Sequence, residues 1–166
     1  MSSMTYSVDK ASAGSAPKLP PRWFIRLAWR AHRALFRLTG GRAPLQTPKR
    51  GKHFGMMRLR TVGRRSGAER AVIIGYVTDG PALASIAMNG WDEADPAWWL
   101  NLQANPDATV DLVGGERRVR ARVADGAERE RLWATISEYP GYGDDLDAYA
   151  SLRSRPSTVV VFEPRD

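Results

Sequence analysis

Six short runs of strand character lie between residues 56 and 162, with no regular strand–helix–strand alternation. Met56–Val62 alternates in part, Arg70–Thr78 (RAVIIGYVT) is β-branched, and Leu83–Met88 (LASIAM) follows an Asp79-Gly80-Pro81 turn. Ala108–Val113 and Glu116–Val123 flank Gly114-Gly115, and Thr158–Phe162 (TVVVF) has the unbroken apolar character of a buried strand. Between them the chain allows a short helix with Asp95 as N-cap and Pro96 in the first turn, ending near Asn105-Pro106. A second helix is expected to reach Tyr139, opened by the capping pair Asp125 and Glu128, and a looser helical piece to cover 143–153. Closely spaced strands with short Gly-bearing connections close into a small antiparallel barrel, whereas a doubly wound fold needs helical crossovers between strands. The fold class is therefore α+β, about six mainly antiparallel strands with flanking helices.

With 166 residues, one domain with a real core is expected. No cysteine is present, which removes thiolate chemistry and Cys-based metal sites, and a reducing cytoplasm is compatible with that. Two histidines, His32 and His53, are too few for a His-rich metal site, so no metal is expected. The net charge of +7 is unevenly divided: residues 1–60 hold thirteen Lys or Arg against the single acid Asp9, and the remainder is net acidic. A nucleic-acid-binding domain spreads its cations over the folded face, so no nucleic-acid partner is expected.

Residues 1–20 read as a disordered leader without the apolar core of a secretory signal. Residues 21–39 read as a basic amphipathic helix, and 40–166 as the barrel domain, with a linker over 42–53. In that helix Arg22, Arg26, Arg30, Arg33 and Arg37 form one stripe, and Trp23, Ile25, Trp29 and Phe36 flank it. Aromatics beside a cationic stripe suit peripheral contact with the inner face of the cell membrane; packing of the helix on the barrel is the other reading.

Two constellations can carry chemistry. In Thr61-Val62-Gly63-Arg64-Arg65-Ser66-Gly67, with Arg70 beyond it, glycines permit a tight loop with several exposed amides. Guanidinium forks and a hydroxyl add donors suited to phosphate or carboxylate; a solvated hairpin tip is the alternative. The second joins Met88-Asn89-Gly90 to the helix bearing Trp98, Trp99, Asn101 and Leu102 and ending in Ala104-Asn105-Pro106. Trp98 and Asn101 share one helix face while Trp99 points elsewhere, so one tryptophan can line a pocket if both do not enter the core.

Together, TVGRRSG and the later PAWWLNLQANP resemble the deazaflavin-dependent nitroreductase family, reductases found largely in actinobacteria, in a match running from about Arg37 to Pro164. The resemblance implies a split β-barrel of the FMN-binding split-barrel type and coenzyme F-420, an 8-hydroxy-5-deazaflavin. By position it implies that Arg64, Arg65, Ser66, Gly67 and Arg70 hold the coenzyme's phosphate and acidic tail. Met88, Asn89 and Gly90 match the turn against the ring, and Trp98 and Asn101 the helix beside it. Trp99, Tyr139 and Tyr142 match the substrate side, with Tyr139 and Tyr142 as candidate catalytic proton donors. Trp99, Asp95, Ile73 and Asp145 depart from the commoner family residues at their positions, so the resemblance carries the coenzyme and not nitro-group reduction.

The chemistry implied is hydride transfer from reduced coenzyme to a small electron-poor acceptor: a quinone, an activated alkene or a nitroaromatic. Catalytic triads, paired carboxylates and zinc-ligand spacings are missing from the sequence. Flavin mononucleotide on a similar barrel, and a non-catalytic deazaflavin carrier, are the alternatives. A cytoplasmic location and a homodimer are compatible with all three.

Overall fold

The strand runs differ in sequence character because they occupy different places in one closed sheet. The computed structural model describes residues 45–90, 93–141 and 145–166. The expected leader and basic helix, and Tyr142, lie outside the described residues. The described elements are β1 (Gly55–Val62), β2 (Glu69–Asp79), β3 (Ala82–Ala87), α1 (Ala97–Ala104), β4 (Asp107–Leu112), β5 (Gly115–Val123), α2 (Gly126–Ser137), α3 (Leu146–Ala150) and β6 (Thr158–Pro164). The strands close in the order β1-β2-β3-β6-β5-β4, and every pairing is antiparallel.

Successive side chains of a strand point to opposite faces, and β1 divides accordingly. Met57, Leu59 and Thr61 are buried, while Met56, Arg58 and Arg60 are half-exposed on the outer face. The outer arginines meet Asp111 of β4, whose register puts it opposite Arg58, with Arg60 Nη2 at 3.0 Å from its carboxylate. In contrast, β6 is covered on both sides. Val160 and Phe162 join a barrel cluster with Met57, Leu59, Leu102 and both tryptophans. Val159 and Val161 face Leu132 and Ile136 of α2 in a second cluster. That double burial is why TVVVF carries no polar alternation.

Two helix starts differ from expectation. Pro96, not Asp95, occupies the N-cap of α1, and the Asp95 carboxylate lies 3.5 Å from Arg153 and 3.1 Å from Arg155. Arg153 has a side chain only 1% exposed, so a nearby counter-charge outweighs a cap. Asp125 does precede α2, but its side chain makes no capping bond, and Glu128 binds Arg122 instead, with one contact at 2.8 Å. A charge-assisted fork is stronger than a neutral backbone cap. The described part of the segment read as a linker is tied into the fold: Gln46 bridges Met56, and its amide donates to the Phe54 carbonyl at 2.8 Å.

The sheet opens in one place. β2 and β3 pair only at Val77↔Ala84, Thr78↔Leu83 and Asp79↔Ala82, next to their turn. Farther from the turn β2 stays with β1 and β3 with β6, so the two strands separate. At the fork the Ser85 hydroxyl donates to the Gly75 carbonyl at 2.7 Å, replacing a ladder bond. The gap between the diverging strands is where the site forms.

Candidate active site

A groove of about 860 Å³ runs along this gap. Its apolar wall comes from Ile73, Ile74 and Gly75 of β2, Ile86 of β3, Met88 beyond it, and Trp98 of α1. One end is closed by the 63–67 loop. Such a volume with a few convergent polar groups is typical of small-molecule and cofactor sites.

The loop is built by its own backbone. Gly63 N–H donates to the Ala68 carbonyl and Gly67 N–H to the Gly63 carbonyl, both at 2.8 Å. Gly67 sits at φ +66°, and a Cβ on Gly63 would stand 3.0 Å from the Ala68 oxygen. This tight turn leaves the Arg65 and Ser66 N–H groups without acceptors among the described residues. Arg70 reaches back to the Ser66 hydroxyl at 3.3 Å.

The described charge lies at this end. Among the described residues lining the groove, the only charged ones are Arg64, Arg65 and Arg70. None of the three has a carboxylate at ion-pair distance among the described residues, although Arg58, Arg60, Arg122, Arg131 and Arg153 all do. In a domain that pairs most of its arginines, three unpaired guanidiniums around free backbone amides make a site for a multiply charged anion. The apolar wall beyond them suits a planar ring. A ligand with an aromatic head and a phosphate-bearing acidic tail therefore fits the residues present.

Most of the site residues expected from sequence come together here. Arg64, Arg65, Ser66, Arg70, Met88, Asn89, Gly90, Trp98 and Asn101 all line the groove, and Gly90 turns the chain at φ +62°. Gly67 shapes the loop without lining the wall. Of the tryptophans, Trp98 borders the groove and packs on Phe162 at 6.3 Å. Trp99 is buried in the barrel cluster, edge-on to Trp98, and does not line the groove. Tyr139 likewise lies off the groove, buried with Ile136 and Leu146 in the second cluster. Gly141 does reach the wall, against the Phe54 ring.

Sequence reasoning missed the β2–β3 walls. Ile73 and Ile74 carry no mark that separates them from core residues. Ser85 does, as the one polar side chain within the apolar run LASIAM, and it is only 2% exposed. Among the described residues no cluster of His, Asp or Glu could hold a metal, and no helix is long and apolar enough to cross a membrane.

Comparison with known proteins identifies relatives of the same kind. The family described as F420H(2)-dependent quinone reductase matches residues 28–164. An F420H(2)-dependent quinone reductase of Mycobacterium tuberculosis is 31% identical over 138 residues, 82% of this chain and 89% of that protein. A solved F420-H2 dependent reductase superposes with a TM-score of 0.59 at 29% identity, covering 72% of this chain and 96% of its own. Another solved structure, described as a domain-swapped dimer, gives 0.61 at 26% identity over 83% and 99% of the two chains.

Proposed function

We propose, from the premise that this chain belongs to the F420H(2)-dependent quinone reductase family, that the β2–β3 groove is where its coenzyme and acceptor meet. The protein is an oxidoreductase that uses coenzyme F-420. When bound, the reduced deazaflavin supplies the hydride. The residues' own tasks are binding, orientation and proton delivery. Arg64, Arg65, Ser66, Gly67 and Arg70 hold the phosphate and acidic tail by charge-assisted bonds and the free loop amides. Met88, Asn89, Gly90 and Trp98 bound the ring, and the apolar wall excludes water from it. Tyr142, next in sequence to the groove-lining Gly141, is the proposed proton donor to the reduced acceptor. Tyr139, buried off the groove, contributes by packing.

The observation that carries this reading is the trio of arginines without carboxylate partners at one end of a groove whose other described lining residues are uncharged. An acceptor entering the uncharged part is neutral and planar, which favours a quinone over charged acceptors. The test is titration of the purified chain with oxidised coenzyme F-420 and with flavin mononucleotide, then oxidation of reduced coenzyme by menadione. Tight binding and turnover are expected. Preference for flavin mononucleotide would overturn the coenzyme assignment, and tight binding without turnover would mark a carrier.

Two wider features belong to the same proposal. The five arginines among residues 22–37, which a helical spacing would gather in one stripe beside Trp23 and Trp29, support peripheral membrane contact by residues 21–39 next to a lipid-soluble quinone pool. Flotation with anionic liposomes is expected to carry the chain upward, and recovery in the soluble fraction would refute this. The relative described as a domain-swapped dimer supports a homodimer, for which light scattering is the check.

A further inference from the structure

Asn101 stands out in the groove because its side chain is committed to the protein. It is only 5% exposed. Its Oδ1 accepts the Arg64 backbone N–H at 3.2 Å and lies 3.5 Å from the Arg64 guanidinium. Its Nδ2 donates to the Thr61 hydroxyl at 3.1 Å, at the end of β1. One amide thus joins α1, the end of β1 and the first arginine of the anion loop. Arg64 has no other protein acceptor for its amide among the described residues, and its guanidinium has no other partner there. Without Asn101 the loop keeps its Gly63–Ala68 and Gly63–Gly67 bonds, but nothing fixes where Arg64 points relative to the groove.

We infer that Asn101 is a positioning residue that acts on the coenzyme's anionic tail through Arg64 and makes no direct use of the ring. This rests on the proposed binding of coenzyme F-420 in this groove. It separates two roles that adjacency to the groove would otherwise merge: Trp98, three residues earlier on the same face of α1, borders the ring region, and Asn101 sets the loop. Removing the buried amide leaves the Arg64 N–H without its acceptor and the Thr61 hydroxyl with only its 3.5 Å bond to the Arg70 carbonyl, so the loop relaxes and its donors no longer converge.

The prediction is a selectivity that simple structural damage would not produce. Two probes are compared: coenzyme F-420, and its deazaflavin riboside, which lacks phosphate and tail. Asn101→Leu is expected to weaken F-420 binding about tenfold and to leave riboside binding within about twofold. Thr61→Val, which removes the partner of Nδ2 together with the long 3.5 Å bond to the Arg70 carbonyl and keeps the Asn101 contacts to Arg64, is expected to shift selectivity in the same direction by a smaller factor, and serves if the first variant folds poorly. Equal loss of both probes would overturn the inference and assign Asn101 to the ring, as would unchanged F-420 affinity. A wild-type chain that binds F-420 no better than the riboside would overturn the loop assignment itself, a failure visible before any variant is made.

Discussion

Arg65 offers the cleanest test of what the loop is for, because it makes no hydrogen bond or ion pair within the described structure and is exposed at the groove rim. Arg65→Ala removes a charge without orphaning a protein group. Unfolding free energy is therefore expected to stay within about 0.5 kcal/mol of wild type. Binding of the anionic coenzyme should suffer more. Two unit charges about 4 Å apart interact by about 1 kcal/mol in bulk water and about 4 kcal/mol near a protein surface. A charge-assisted hydrogen bond nets about 1.5–3 kcal/mol. A loss of about 1.5–2 kcal/mol corresponds to a Kd raised roughly ten- to thirtyfold. The loss is electrostatic, so it must shrink with salt: the screening length falls from about 10 Å at 0.1 M to about 3 Å at 1 M. Fluorescence titration with coenzyme F-420 at both salt concentrations reads all of this. A Kd ratio that does not change with salt, or a variant that binds F-420 as wild type does, refutes the assignment of the loop to the coenzyme's charged tail.

Three further outcomes are expected from the packing. Ser85→Ala leaves the Gly75 carbonyl without its donor at the fork between β2 and β3, and is expected to cost about 1–2 kcal/mol in denaturant unfolding; no change would mean the strands are held apart by something else. Gly141→Ala strains a backbone at φ +110° and puts a Cβ 2.6 Å from the Phe54 ring, so stability should drop by about 1–3 kcal/mol and KM should rise as Phe54 shifts on the groove wall. A Gly141→Ala protein with wild-type melting and KM would contradict this. The third concerns Asp79, whose carboxyl is held below its ordinary value of 3.8 by hydrogen bonds from Arg131 at 2.7 and 2.9 Å. A depressed carboxyl stabilises above its unfolded pKa, and that contribution disappears as pH falls through the native one. Arg131→Ala should therefore be slightly less stable than wild type near neutral pH, as solvent screens an exposed pair, and converge on wild type as pH falls below the ordinary carboxyl value. A difference that persists in acid would show that packing, not the ion pair, is at work.

The sequence showed the barrel well and the groove only in part, for a physical reason. Period-two patterning and Gly-bearing turns report how strands alternate and where they end, and β1 to β6 appear within a residue or two of their expected ends. The loop was legible because Gly63, Gly67 and the arginine pair are unusual locally. What patterning does not record is where a ladder stops. β2 reads as an ordinary buried run through Ile73 and Ile74, although there it has β1 on one side and no ladder partner on the other. The caps failed for a similar reason. Asp95 and Glu128 are good capping residues locally, but each has an arginine partner supplied from elsewhere in the chain or fold. Trp98 and Trp99 illustrate the limit: both enter the barrel core, and only packing against Phe162 shows that Trp98 also reaches the groove wall while Trp99 does not.

The position of the fork explains how one small barrel can combine an apolar groove with a cationic end, the proposed sites of ring and tail. Separating β2 from β3 exposes isoleucines and a glycine backbone that a continuous ladder would have sealed, while β1 remains paired with β2 from Glu69 to Tyr76. The loop joining β1 to β2 is therefore rigidly tied to the far wall of the opening, and α1 closes the near side with Trp98. Asn101 links the two by holding Arg64, so the distance between the cationic end and the aromatic side is set by α1 and β1 together. A ligand that spans both ends is measured against that distance, and a planar molecule lacking an anionic tail has no partner at the arginine end. On the proposed reading, selectivity for a tailed coenzyme over a bare ring is set at the β1–α1 junction, and choice of acceptor by the rest of the groove.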